Sequence, residues 1–373
     1  MEKEKKMMKK RLGFLVYGSV FLMTFFMLSA PALGCTSVII SGRVRADGKP
    51  LMMKHRDTGT LDNRMEWFRG AEYTFVGLVN SPSSGGEIWA GTNSAGFSIM
   101  NTATYDLKDD DVPSGKMDRE GTLMYRALEI CEDLQDFEFF LDTLSRPMGV
   151  EANFGVIDAK GGAAYYETNN HSWTKFDVNA IDCGYRVVTN FTATGRVDDR
   201  KGVDRFVKAS GIMSEAPRSP EGNLEVDAMW LMDHVSRSGA PIMRKITSAT
   251  IVFEGVEKGE NPMQSILWTA LGYPETTVTV PLMVLDEDRL PAYVKGEGKE
   301  RHASLCDNAL KFKGSDMKKE VETVEKFIVP HFYEIYGKWV SGRIGTAKFV
   351  KDYERFLQNV YQVYQKDFLK EAK

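Results

Sequence analysis

Ala32-Leu33-Gly34-Cys35-Thr36-Ser37-Val38-Ile39-Ile40-Ser41-Gly42 decides how this chain folds. Small residues before the cysteine read as the end of a leader. The β-branched run after it, closed by Gly42, predicts a strand. Asp47-Gly48 then predicts a turn, and Leu51-Met52-Met53-Lys54-His55 a second strand. The folded part is therefore expected to open on a hairpin whose first residue is Cys35.

Upstream, the three parts of a secretory signal follow in order. Lys3, Lys5, Lys6, Lys9, Lys10 and Arg11 form a positive segment, Leu12 to Leu28 is mostly apolar, and Ser29 to Gly34 is small and Pro-containing. The apolar run is short for a spanning helix, which needs about 20 residues. Residues 1–34 are expected to be removed, which makes Cys35 the mature N-terminus. Its thiol and its free α-amine would then serve as nucleophile and base on one residue. Gly-Cys also ends lipoprotein signals, so a lipid-anchored surface protein is the alternative. That signal usually carries Leu three residues before the cysteine, where this chain has Ala32.

The 373 residues carry 48 Lys+Arg and 52 Asp+Glu, a net charge of −4. The leader holds six of those cations and two of the acids, which leaves −8 on the remaining 339 residues. A mildly acidic chain argues against a nucleic-acid or anionic-membrane partner. With 43% apolar and 27% charged residues the composition is that of a globular protein. Cys131, Cys183 and Cys306 complete the cysteines. No Cys/His metal spacing appears, so neither a metal nor a cofactor is expected. A Cys183–Cys306 disulfide stays open at this level, and Cys131 reads as a buried helix thiol.

Short apolar runs predict further strands at Tyr73–Val79, Glu87–Gly91, Phe97–Asn101, Asn153–Asp158, Ala163–Glu167, Tyr185–Asn190, Ala249–Glu254 and Thr277–Val284. Helical periodicity marks Arg119–Cys131, Asp136–Thr143, Val203–Ser210, Val226–Ser236 and the tail from Asp316. Strands and helices without strict alternation predict an α+β layered architecture. Residues 35–315 read as one domain. Residues 316–373 read as a helical extension that covers it or a partner subunit, such as a second copy of the chain. The loops Ser81–Gly86 and Asp106–Gly115 read as substrate-facing loops.

Cys35-Thr36-Ser37, Asp47-Gly48 and His55-Arg56-Asp57-Thr58-Gly59 resemble the opening of the N-terminal-nucleophile cysteine hydrolases. The most similar group is the acyl-coenzyme A:6-aminopenicillanic acid acyltransferase-like and choloylglycine hydrolase families, which act on linear amide C–N bonds. Penicillin V acylases and a dipeptidase family are similar. The segments Thr92–Asn101, Arg186–Phe191 and Asp204–Val207 carry the resemblance on, and Ser248–Glu254 with Trp268–Pro274 extends it to about residue 285. It implies a four-layer αββα sandwich and a cysteine amidohydrolase, exported to a periplasmic or extracellular space. The expected partner is a small N-acyl amide. Acyl transfer or dipeptide hydrolysis on the same fold is the alternative.

The resemblance also implies roles. Cys35 would be the nucleophile. Asp57 would orient the amine, with Arg56 as a positive charge favouring the thiolate. Relatives separate that arginine from the aspartate by two residues, whereas Arg56 and Asp57 are adjacent here. Neighbours on a strand face opposite ways, so Lys54 is the alternative source of charge. Asn101 would donate to an oxyanion, since a side-chain amide presents N–H without charge. Asn190 would fix the amine or the substrate amide and share in holding the oxyanion, and Arg205 would bridge acceptors. His55, His171, His234, His302 and His331 sit in no motif that assigns a base. Trp67, Phe68, Trp89, Phe97 and Tyr105 are equally suited to an acyl pocket and to the core.

Overall fold

The computed structural model describes residues 34–373, apart from 84, 108–111, 297–300 and 369–373. Residues 1–33 of the expected 1–34 leader lie outside the described residues, so its cleavage is an expectation carried forward. Leu33–Lys373 is one compact unit.

Two antiparallel sheets form the frame. The first orders its strands β10-β1-β2-β11-β12-β13. These are β1 (Thr36–Ile40), β2 (Leu51–Asp57), β10 (Tyr185–Val188), β11 (Thr247–Glu254), β12 (Ile266–Leu271) and β13 (Val280–Met283). The second is a sequential meander from β3 to β9. Its strands are β3 (Asn63–Arg69), β4 (Thr74–Asn80), β5 (Ala90–Asn93), β6 (Ser98–Ala103), β7 (Ala152–Ile157), β8 (Ala163–Thr168) and β9 (Trp173–Asp177).

Every residue of β1 and β2 is buried, which suits strands covered on both faces. Val38, Ile39 and Ile40 are fully buried, each worth about 1.5–3 kcal/mol against exposure. Between the sheets, Ile39 and its register partner Met52 meet Met100, Tyr165 and Val76 in one core. Tyr165 also donates to Ser37 Oγ at 3.0 Å, and Ser37 Oγ donates to the Val188 carbonyl at 3.0 Å. That chain of hydroxyls pins the two sheets next to the first strand.

Helices α1 (Glu120–Ile130) and α2 (Leu134–Thr143) cover the outside of the second sheet. Their apolar faces, including Leu128 and Phe137, meet Phe75, Ile99, Phe154 and Tyr166 there. The outside of the first sheet is covered by α3 (Val203–Ser214) and by α4 (Ala228–Trp230), which runs on as a π-turn through Ser236. Two smaller helices, α5 (Ala292–Lys295) and α6 (Ser304–Lys311), precede the tail. The layers are therefore helix, sheet, sheet, helix, which is the expected αββα sandwich.

The tail forms α7 (Lys318–Val340) and α8 (Thr346–Val363). Its ring of aromatics packs on the first sheet, with Phe332 against Trp268 at 5.4 Å between centroids. Tyr353 donates to the Pro281 carbonyl at 2.9 Å and Tyr336 to the Gln264 carbonyl at 2.9 Å. Glu325 of α7 accepts two bonds of 2.7 Å from the buried Arg237 and one of 2.7 Å from the Thr279 amide. No helix among the described residues is long and apolar enough to cross a membrane.

Three strands escape sequence reading. β3 (Asn-Arg-Met-Glu-Trp-Phe-Arg) buries polar Asn63 and Arg64, which hides its alternation. β9 is an edge strand, mostly exposed. β12 overlaps the Trp268–Pro274 segment, read only as a motif. All four cysteines are free thiols, so Cys183 and Cys306 are not bridged. Burial pushes Cys131 and Cys306 up to about 12, which makes both inert.

Candidate active site

Strand register decides which side chains meet Cys35. Ser37 pairs with Lys54 and Thr36 with His55, so one step back Cys35 lies opposite Arg56. Opposed residues share a face. Lys54 and Arg56 therefore both project on the Cys35 side, toward the second sheet, while His55 and Asp57 turn to the helix-covered side. Arg56 and Lys54 were alternatives in the sequence; the structure puts both beside the thiol. The irregularity that accommodates Asp57 lies in the neighbouring strand, where β11 shifts register between Thr247 and Ala249.

Lys54 is 2% exposed. Its Nζ donates to the Trp89 carbonyl at 2.5 Å and to Asn101 Oδ1 at 2.7 Å. Burial, opposed by Cys35 and reinforced by Arg56, brings its ammonium down to about 7. Arg56 donates to Asn63 Oδ1 and, at 3.0 Å, to Asn80 Oδ1. Its guanidinium sits 5.0 Å from the centroid of the Trp89 ring. Burial lowers it to about 10, so it keeps its charge at neutral pH.

Asp57 is fixed from three sides. Arg244 donates Nε to Oδ2 at 2.8 Å, with Nη2 2.7 Å from the same oxygen. Thr247 Oγ1 donates to Oδ1 at 2.6 Å. His55 Nε2 lies 3.6 Å from Oδ1 and 3.2 Å from Thr247 Oγ1. The single hydroxyl proton of Thr247 is committed to the carboxylate, so His55 Nε2 carries the ring proton and Nδ1 accepts from Ser236 or Thr250. Burial holds the imidazole below its usual range. It is a neutral support for Asp57, and no base role attaches to it.

The second-sheet wall comes from β6. Asn101 turns its Oδ1 to Lys54, which leaves its Nδ2 without a protein acceptor among the described residues. An amide so oriented can donate into the cavity. Asn190, just past β10, is fully buried. Its Nδ2 donates to the Ala103 carbonyl at 2.6 Å and its Oδ1 accepts from Arg205 at 2.6 Å. Arg205, two residues into α3, also donates to the Cys35 carbonyl and to Thr36 Oγ1 at 3.2 Å. Asn190 and Arg205 thus hold the backbone at Cys35.

Gly34 closes this arrangement. Its amide donates to the Asp57 carbonyl at 3.2 Å, and its carbonyl accepts from Arg244 at 3.1 Å. A Cβ at Gly34 would fall against Asn190 Oδ1 and Arg205 Nη2. Only glycine lets the chain enter the site this closely.

Gly34, Cys35, Lys54, Arg56, Asp57 and Asn101 line one cavity of about 600 Å³. Of the aromatic candidates, Trp89 and Tyr105 line it as well. Phe68 stacks on Phe75 at 4.9 Å, Phe97 lies 6.0 Å from Phe137 in the outer core, and Trp67 donates to the Leu285 carbonyl at 3.0 Å. Val112 and Ser114 of the Asp106–Gly115 loop reach the wall. Sequence reading missed Arg244 and Thr247. The available signal was their position just ahead of the Ser248–Glu254 segment.

No family model matches the sequence, and no curated protein matches it. Among solved structures, the chain is similar to a mutant of conjugated bile acid hydrolase from Clostridium perfringens (TM-score 0.45, 11% identity, 68% of this chain and 93% of that chain). It is also similar to penicillin V acylase from Agrobacterium tumefaciens (TM-score 0.44, 15% identity, 68% and 87%). Penicillin G acylase from Alcaligenes faecalis is more remote (TM-score 0.38, 7% identity, 53% and 51%).

Proposed function

We propose that this chain is an exported cysteine amidohydrolase that cleaves a linear amide C–N bond through an acyl-enzyme on Cys35. The carrying observation is the shared cavity of Cys35, Lys54, Arg56, Asp57 and Asn101. Leader removal at the Gly34–Cys35 bond frees the Cys35 amine between Asp57, Asn190 and Arg205. The amine takes the thiol proton and the sulfur attacks the acyl carbonyl. The oxyanion that forms is held by Asn101 Nδ2 and steadied by the charge on the Lys54–Arg56 face. The C–N bond breaks as the amine passes the proton to the departing nitrogen. Water then enters, gives its proton to the same amine, and displaces the thiolate from the acyl group.

Asn190 fits this scheme through its Oδ1, which lies beside the position of the nascent amine. Its Nδ2 is spent on the Ala103 carbonyl, so holding the oxyanion falls to Asn101. Acyl transfer differs only in the acceptor, an amine in place of water. A lipid anchor on Cys35 would have to thread an acyl chain through this buried position, where the residue is 8% exposed.

Hydrolysis of a panel of N-acyl amides by the mature protein, with Cys35→Ser as control, tests the reading. Turnover lost in the Cys35→Ser protein supports it. Turnover retained in that protein rejects it.

A further inference from the structure

The cavity is electrostatically polarised. Its Cys35 end carries Lys54 and Arg56, whereas its far wall carries Asp118, Glu120 and Glu151. Three elements converge to build that wall. Glu120 opens α1 and accepts the Glu151 amide on Oε1 at 2.9 Å. Glu151 precedes β7, and its carbonyl accepts from the Thr104 amide at 3.1 Å just beyond β6.

Two features of this wall call for a ligand. Glu120 is 8% exposed, yet no basic side chain pairs with it among the described residues. Thr104 is 3% exposed and lines the same cavity. Its hydroxyl is buried with no hydrogen-bond partner among the described residues. A buried carboxylate without a countercharge and a buried hydroxyl without a partner are both costly. A single donor cation satisfies both. A metal ion fits less well, because Glu120 already commits one oxygen to a backbone amide.

We propose that the substrate is an amide bearing a protonated amine, and that Glu120 and Asp118, with Thr104, bind its ammonium group while Cys35 attacks the carbonyl. This rests on the hydrolase reading for where the carbonyl lies. Burial raises the Glu120 carboxyl to about 7, with Asp118 and Glu151 adding to it. An arriving cation would relieve that repulsion. Amides whose far end is anionic would meet the Glu120 and Asp118 carboxylates and be rejected.

Matched pairs that differ only in the ammonium group test this. One pair is 6-aminohexanoyl p-nitroanilide and hexanoyl p-nitroanilide. The other is N-acetyl-1,4-diaminobutane and N-butylacetamide, which places the amine on the leaving side. Titration calorimetry on the mature Cys35→Ser protein reads binding without turnover. In at least one pair the ammonium member should bind about tenfold or more tightly, the scale of a charge-assisted hydrogen bond. Glu120→Gln, which keeps the acceptor for the Glu151 amide, should erase the preference. Asp118→Asn on the adjoining loop serves as the second variant and should reduce it.

Neutral members binding as well in both pairs, no binding by any member, or a preference that survives both substitutions, would overturn the proposal. Turnover by the Cys35 protein separates the two readings. Ammonium-selective binding without turnover counts against the hydrolase alone, and equal turnover of both members counts against the ammonium site alone.

Discussion

Lys54 Nζ lies 2.7 Å from Asn101 Oδ1, and this contact joins the two sheets across the cavity that holds Cys35. It orients the amide so that Nδ2 is free to donate. It also sets a cation on the face of β2 that Cys35 shares. Lys54→Met removes both effects. Turnover should fall roughly 10²–10³-fold, the range seen when one oxyanion donor is lost, and alkylation of Cys35 should slow. Lys54→Arg, which keeps the charge, should retain part of the activity. Steady-state kinetics and iodoacetamide labelling check this.

Burial gives Lys54 a signature in stability. Its ammonium falls from 10.5 to about 7 in the folded chain. Between those values the unfolded chain binds a proton that the folded chain does not, so this residue makes stability rise with pH. Below about 7 both states are protonated and the burial penalty is constant. Denaturant unfolding at pH 7, 8 and 9 should show a steeper rise for the native sequence than for Lys54→Met. Parallel curves would count against it.

Arg244 and Asp57 form the pair that steadies the Cys35 backbone end. Arg244→Met leaves the buried Asp57 carboxylate with only the neutral Thr247 and His55 beside it and no countercharge. The expected loss is on the order of 3 kcal/mol, as for other buried pairs deprived of one partner, and turnover should drop with it. Asp57→Asn keeps the shape but leaves Arg244 without its countercharge. Its hydrolysis should be lost even where the fold survives, as read by circular dichroism beside kinetics.

The tail offers a structural contrast. Glu325→Ala strands Arg237, which is fully buried, with Asp233 as its remaining carboxylate partner. Unfolding free energy should drop by about 3–5 kcal/mol. The protein that remains folded should keep its turnover number, because this pair lies outside the cavity. Thermal melts combined with active-site titration separate the two.

Much of the site was readable because its parts are local. The β-branched run after Cys35 marks β1, and Asp57 and Asn101 each end a visible strand motif. The charge beside the thiol was not readable. Whether Lys54 or Arg56 faces Cys35 depends on register against β1, and the outcome is both, because they stand two residues apart on one face of β2. Arg244 stood in no motif, since its link to Asp57 spans 187 residues. β3 stayed hidden because Asn63 and Arg64 are buried polar residues that serve Arg56 and the sheet edge. The acidic wall brings Glu151 beside Glu120, 31 residues away, which only the packing of α1 on the second sheet makes neighbours.

The mass and labelling pattern of the protein purified from its producing cells test the central claim most directly. Cys183 is exposed and would react with iodoacetamide, so the measurement uses a Cys183→Ser background, in which Cys131 and Cys306 stay buried. The account predicts a chain that begins with an unmodified Cys35, one carbamidomethyl group on that residue, and amide hydrolysis lost in step with its attachment. A diacylglyceryl mass on Cys35, or a chain that still carries residues before Cys35 and hydrolyses amides, would contradict it.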